Sequence, residues 1–194
     1  MLDGALRLWY NKAVMLRKKR TKKLALTALF TALMLVSGFI RIPAPLAPIT
    51  LQAQVALLAG VCLGSAWGCV SIALYVLLGL IGLPVFASGG GIAYVFQPTF
   101  GYLLGFAAGA GLAGAVCGGK TPTKKRLVLA VGIGLLAVYA IGTAYGVLIW
   151  TLHLKQPIIV TEFLLGYVVL TLPKDLILTA LCVPLAIRLL PHTS

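Results

Sequence analysis

The residues of this chain best suited to chemistry stand together in the stretch TLPKDLILTALC, close to the end of the sequence. It places Lys174 and Asp175 inside an otherwise apolar run, although the whole chain has only three acidic residues. A carboxylate in lipid costs roughly 2.5–3.5 kcal/mol, so such a group normally faces a protein interior or a cavity and marks a functional site. We therefore expect Asp175 to accept hydrogen bonds from a ligand, each worth about 1.5–3 kcal/mol in a water-poor site.

A second unusual passage, ASGGGIAYVFQPTFGY, combines three consecutive glycines with aromatic and amide side chains. Glycines allow the backbone to approach a ligand closely, and an amide both donates and accepts hydrogen bonds. Another reading is a tight turn beside a belt of interfacial aromatic residues. In this passage the candidate ligand contacts are Tyr94, Gln97, Gly89, Gly90 and Gly91. Two further candidates lie elsewhere: Gln52, which opens an earlier apolar run, and Lys174 beside Asp175. For Gln52, near the start of its apolar run, an interfacial position is an equal alternative.

The sequence lacks the residue patterns typical of catalytic, metal-binding and nucleotide-binding sites. The sequence has no paired carboxylates, no serine–histidine constellation and no metal-ligand spacing, since its four cysteines are scattered through apolar runs. The triple glycine is not followed by the Gly-Lys-Ser/Thr of a phosphate loop. We expect no enzymatic activity, no metal site, no cofactor and no ATP binding by this chain.

The composition indicates an integral membrane protein. Hydrophobic residues make up 61% of the chain and charged residues 10%, against about 25% charged residues in soluble domains. The apolar runs are continuous, which favours helices over the alternating strands of a membrane barrel. The net charge of +13 lies mainly in clusters that flank apolar runs, and these are typical of topology signals and anionic-lipid contacts. No groove-reading motif accompanies the charge, so we expect no nucleic-acid binding.

The apolar runs predict an all-α membrane protein with six transmembrane helices. A basic N-terminal segment, residues 1–23, precedes a membrane domain of residues 24–194. Since Lys and Arg are enriched in cytoplasmic loops, both termini are predicted to be cytoplasmic, which puts Asp175 in the first turn of the last helix at the outer side. The predicted spans are residues 24–40, 51–63, 69–83, 100–116, 127–150 and 173–190, with 158–172 as an interfacial or re-entrant segment.

On the first span, Ala28 and Ala32 stand four residues apart. Small residues at this spacing let another helix approach closely. The neighbour is either a helix of this chain or one of a partner subunit.

The blocks PITLQ, GLIGLPVFASGGG, QPTFGYLLGF and LPKDL, in this order, resemble the biotin-binding S subunits of energy-coupling-factor (ECF) vitamin importers, the BioY family. The resemblance covers residues from about 24 to 190. It implies the six-helix S-component fold, a biotin pocket near the outer face and a multi-pass location in a bacterial plasma membrane. It also implies a transmembrane coupling subunit and two cytoplasmic ATPases as partners, besides the lipid bilayer that surrounds the membrane subunits.

The resemblance also implies roles for particular residues. The family's aspartate after the proline contacts the ligand, which carries over to Asp175, and its small residues on the first helix dock on the coupling subunit, which carries over to Ala28 and Ala32. The family commonly reads P-G-D-x-x-K. Here Leu178 stands in place of the downstream lysine, and Lys174 in place of the glycine.

The sequence therefore predicts a high-affinity biotin-binding membrane subunit of an ATP-driven uptake system. Three alternatives stay open at this point: an S subunit for another vitamin, a solitary biotin transporter that works without the ATPase module, and a structural membrane partner without a ligand.

Overall fold

The computed structural model describes residues 2–42, 49–118, 122–154 and 171–193, and these form a bundle of helices. The helices are α1 (Leu2–Phe39), α2 (Gln52–Leu63), α3 (Ser65–Leu80), α4 (Phe100–Cys117), α5 (Lys124–Ile149) and α6 (Leu172–Thr193). A 3-10 helix (Ile92–Phe96) precedes α4, and a π-helical turn (Trp150–Leu154) extends α5. The all-α fold with six helices is confirmed.

The starts of two helices differ most from the prediction. The first helix was predicted to begin at residue 24, but α1 begins 22 residues earlier, so the basic N-terminal segment and the first span are one continuous helix. The third was predicted to begin at residue 69, whereas α3 begins at Ser65. The predicted interfacial segment 158–172 lies outside the described residues except for its last two.

Helix α2 forms the centre of the bundle. Eleven of its twelve residues are buried, and it packs against α1, α3, α4, α5 and α6. With a rise of 1.5 Å per residue it is about 18 Å long, shorter than the roughly 30 Å hydrocarbon core of a bilayer. Helix α2 therefore ends inside the bundle. The polar residues at its start, Gln52 and Gln54, are enclosed by the neighbouring helices.

Among the described residues, three helical stretches are long and apolar enough to cross a membrane by themselves: Tyr10–Phe39, Phe100–Cys117 and Lys124–His153. The apolar helices α2 and α3 are shorter. Large apolar side chains such as Leu136 and Ile177 are more than 60% exposed on the outside of the bundle. Such surfaces match lipid, and the chain is a multi-pass membrane protein.

Glycines set the distance between central helices. A Cβ atom at Gly105 would lie 2.7 Å from the carbonyl oxygen of Val138, and one at Gly60 would overlap the backbone of Ala110. The backbones of α4 and α5, and of α2 and α4, therefore touch, which is the close packing that small residues permit in membranes.

A short hairpin joins α1 to α2. Strand β1 (Arg41–Ile42) pairs antiparallel with strand β2 (Ile49–Thr50), and Arg41 lies opposite Thr50. The end of β2 reaches the first turn of α6, because the Nζ atom of Lys174 donates to the carbonyl oxygen of Thr50 at 2.6 Å. The hairpin and the start of α6 thus lie at the same end of the bundle.

Candidate functional site

The carboxylate of Asp175 is buried in the first turn of α6, with 5% of the residue exposed. Its Oδ1 atom accepts a hydrogen bond from Nε2 of Gln54 at 2.7 Å and lies 2.5 Å from Nζ of Lys174. Its Oδ2 atom accepts from the hydroxyl of Tyr139 at 2.5 Å. These donors, together with the positive end of the helix dipole, offset the cost of burying a charge, which is large for an unpaired group.

The same network joins three parts of the fold. The hydroxyl of Tyr139 on α5 also lies 2.9 Å from Oγ1 of Thr171, just before α6, and Lys174 links α6 to the hairpin through Thr50. Two of the three donors to Asp175, Tyr139 and Lys174, are thereby held by a second contact, whereas the Oε1 atom of Gln54 is buried without a hydrogen-bond partner among the described residues. A network with fixed donors presents its polar groups in one arrangement, which favours recognition of a specific partner.

A cavity of about 70 Å³ lies next to this network. One water molecule needs about 10–15 Å³ by the same measure, so the cavity has room for several waters or a small ligand. Its wall combines a polar side with an apolar side, as ligand sites commonly do. The lining residues are Thr50, Gln52, Ala53, Ala87, Tyr94, Thr99, Tyr102, Leu103, Phe106, Val138, Tyr139, Thr171, Lys174 and Asp175.

The polar side chains across the cavity from α6 are also held in place. Gln52 is 2% exposed, and its Nε2 atom donates to the hydroxyl of Tyr75 at 2.5 Å, while its Oε1 atom accepts from Oγ1 of Thr50 at 3.2 Å. The hydroxyl of Tyr94 accepts from Oγ1 of Thr99 at 3.2 Å. The side chain of Gln52 is therefore buried inside the bundle, on the wall of the cavity.

The triple glycine shapes a turn beside the cavity. Gly89 and Gly91 have φ values of 123° and 98°, which favour glycine, and a Cβ atom at Gly90 would overlap the carbonyl oxygen of Leu83. Phe86 and Gly89 exchange two backbone hydrogen bonds of 2.8 and 3.2 Å. The glycines thus position the tight turn 86–89, whose residue 87 lines the cavity.

The structure brings four of the predicted contacts to the cavity wall, namely Asp175, Lys174, Gln52 and Tyr94. The other four, Gln97, Gly89, Gly90 and Gly91, lie outside the wall. Gln97 caps the 3-10 helix through its backbone N–H, which donates to the carbonyl of Tyr94. The assignment of all eight as ligand contacts stays a prediction.

Sequence reasoning missed Tyr139 and Gln54 as partners of Asp175. Tyr139 is one of three hydroxyl side chains in the long apolar helix α5, with Thr143 and Tyr145, and no local pattern sets it apart. For Gln54 a signal existed: residues 52 and 54 lie about 200° apart around a helix, so only a helix enclosed on several sides buries both amides. Two glutamines so close together in an apolar run thus indicate a central helix.

The predicted docking residues lie elsewhere. Ala28 and Ala32 are exposed on α1, where they line a shallow apolar groove with Leu35 of the same helix and with Leu74 and Ile81 of α3. This groove is on the outside of the bundle, and no helix among the described residues covers the two alanines.

Comparisons with known proteins agree with this architecture. The model of the BioY family matches residues 11–194. A probable biotin transporter BioY of Lysinibacillus sphaericus is 48% identical over 132 residues, which cover 68% of this chain and 67% of that protein. A biotin transporter BioY of Thermotoga maritima is 40% identical over 122 residues, which cover 62% of this chain and 72% of that protein.

A solved structure is similar throughout the fold. The crystal structure of the S-component for biotin from an ECF-type ABC transporter matches with a TM-score of 0.75 at 26% identity. The match covers 89% of this chain and 92% of that one.

Proposed function

This chain belongs to the BioY family, and we propose that it binds biotin in the cavity beside Asp175 as the membrane subunit of an ATP-driven uptake system. The observation that carries the proposal is a buried, fully paired carboxylate on the wall of a cavity with polar and apolar sides. An ionisable group in this position within a membrane protein is by default a functional one.

The chemistry of the cavity suits biotin. The fused ureido ring of biotin has two N–H donors and one carbonyl acceptor, and the wall offers it the carboxylate of Asp175 with the hydroxyls of Tyr139 and Thr171. The sulfur ring and the aliphatic chain match the apolar side formed by Leu103 and Phe106. A site built to pair such polar groups rejects analogues that lack them.

Binding of the ligand requires one donor of Asp175 to give way, and we expect this to be the ammonium group of Lys174. Asp175 already accepts from three donors, so a ligand N–H must replace one of them or share an oxygen with it. The side chain of Lys174 is 24% exposed, whereas Gln54 and Tyr139 are buried. We expect Lys174 to leave Oδ1 and donate to the ligand, in the role that the resemblance assigns to a lysine where Leu178 stands here.

The binding test uses the chain purified in detergent without added biotin. We expect tight calorimetric binding or co-purified biotin in the wild type, and a loss of affinity of at least about tenfold in Asp175→Asn, which keeps the shape of the side chain and removes one charged hydrogen bond. Leu181→Asn, on the exposed face of the same helix and outside the cavity wall, is the control. A folded wild type that binds no biotin but binds another vitamin would refute the ligand assignment.

The proposed partners are a transmembrane coupling subunit and two cytoplasmic ATPases. The exposed groove with Ala28 and Ala32 supports this part, because small residues allow a partner helix to approach the backbone of α1. Ala32→Leu should abolish co-purification with the coupling subunit and leave biotin affinity unchanged, since the groove does not include residues of the cavity. Uptake in cells that lack the ATPases would instead indicate a solitary transporter.

A further inference from the structure

The end of the bundle opposite the cavity carries a concentration of positive charge. Helix α1 runs from there to the cavity end, where Gly38 lies against Val85 and Gln52. Helix α5 runs the same way, since Tyr145 near its end donates to the carbonyl of Val95 at 2.6 Å. The first residues of the apolar part of α1 and of α5 therefore lie at the same end.

At this end α1 leaves the bundle as an uninterrupted helix. Every side chain from Tyr10 to Ala25 is exposed except Val14, which is partly exposed. Arg17, Lys18, Lys19 and Arg20 are consecutive in this stretch, and successive helical residues point about 100° apart. Their charges therefore surround the helix on all sides; we call these four residues the basic collar.

The collar lies close to the start of the apolar segment. Arg17 precedes Leu24 by seven residues, or about 10 Å along the helix, and the other three are nearer. This distance is about one Debye length at 0.1 M salt. The headgroup layer of the membrane lies where the apolar segment of α1 begins. All four charges of the collar are therefore within electrostatic reach of it.

A second group of basic residues at the same end lies at the positive end of a helix dipole, which is unfavourable for cations. Lys124, Lys125 and Arg126 are exposed in the first turn of α5, which contains no acidic residue. The Nε atom of Arg126 donates to the carbonyl oxygen of Val116 at 2.5 Å, so the two lysines are the cations left facing outward. The positive end of the helix dipole disfavours cations there by about the amount that it favours anions. An external anion at this position would remove that penalty.

The chain itself supplies few anions for these charges. Its three acidic residues are Asp3, Glu162 and Asp175. Asp3 precedes Arg17 by 14 residues, about 21 Å along the helix, and Asp175 is at the opposite end of the bundle in its pair with Lys174.

We propose that the basic collar and the first turn of α5 bind the headgroups of anionic phospholipids in the leaflet opposite the cavity. Lipids surround a membrane helix on all sides, as the collar does, whereas a protein partner would cover one face. Clusters of this kind beside a membrane helix attract anionic headgroups. The surface is separate from the biotin cavity and from the groove at Ala32.

The test reconstitutes the full chain in phosphatidylcholine vesicles with and without phosphatidylglycerol. Electron paramagnetic resonance of spin-labelled lipids gives the ratio of association constants for phosphatidylglycerol over phosphatidylcholine. We expect a ratio above one that falls at high salt, because the contact is electrostatic. Lys18→Gln with Lys19→Gln should lower the ratio by about threefold or more.

The matched control removes two charges farther along the same helix, Arg7→Gln with Lys12→Gln, and should leave the ratio nearly unchanged. Residue 12 precedes Leu24 by about 18 Å, beyond effective screening distance. Equal ratios in both double variants, or a ratio that persists at high salt, would overturn the proposal. The proposal would also be overturned if Lys18→Gln with Lys19→Gln left the lipid selectivity unchanged but abolished co-purification of the coupling subunit or the ATPases. That result would show that the collar binds an acidic protein surface.

Discussion

The ion pair between Lys174 and Asp175 gives the sharpest test of the site's energetics. In Lys174→Met the carboxylate keeps its hydrogen bonds from Gln54 and Tyr139 but loses the ammonium group 2.5 Å from Oδ1. Removing one partner of a fully buried pair costs about 3–5 kcal/mol. Because a quarter of the lysine side chain is exposed, we expect a smaller loss of about 2–4 kcal/mol, which includes its hydrogen bond to Thr50.

The assay is thermal unfolding of the purified chain without biotin. For a chain of this size each kcal/mol corresponds to about 2–4 °C, so Tm should fall by roughly 4–16 °C. The double variant Lys174→Met with Asp175→Asn should regain part of this loss, because it no longer buries an uncompensated charge. The matched control Lys125→Met removes an exposed cation from the first turn of α5 and should leave Tm unchanged or slightly raised.

The double-mutant cycle tests whether Lys174 and Asp175 interact in the folded protein. If the effects of the two single substitutions simply add, the residues do not interact in the folded protein and the network is wrong. A fall in Tm no larger than that of Lys125→Met would refute the reasoning in the same way.

Two further substitutions test the network and the packing by thermal unfolding. Tyr139→Phe removes a donor to the buried Asp175 and should cost about 1.5–3 kcal/mol, with a lower biotin affinity in calorimetry; unchanged Tm and affinity would contradict this role. Gly60→Ala puts a Cβ atom into the backbone of Ala110 and should lower Tm by several degrees, whereas Gly132→Ala, with no atom within 4 Å of the added Cβ, should keep or raise it. Equal Tm values for the two alanine variants would argue against the close contact of α2 and α4.

Part of the site was accessible from the sequence because charges are rare in this chain. A lysine and an aspartate within an apolar run stand out, since lipid does not solvate them. Pro173 marked the start of the helix that carries them, and α6 begins at Leu172. The first turn of α6, with Asp175 in it, was therefore predicted correctly.

The glycine-rich passage was harder to interpret. Its composition suggested direct contact with a ligand, but composition does not distinguish glycines that face a cavity from glycines that allow a turn. Here Gly90 lies against the carbonyl of Leu83 and the amide of Gly91 donates to Gly79 at 2.7 Å. Ala87 lines the cavity as a result, although its residue type gave no indication of this.

The sequence by itself determined that this is a helical membrane protein, where its helices lie, which end is basic and which helix carries the buried carboxylate. These follow from composition and local order, because lipid requires each apolar segment to satisfy its backbone hydrogen bonds as a helix. Only the tertiary structure decided that Gln54 and Tyr139 serve Asp175 and that Gln52 faces a cavity. Those contacts join residues 121 and 36 positions apart, and they depend on how α2, α5 and α6 pack against one another, which no local pattern of residues encodes.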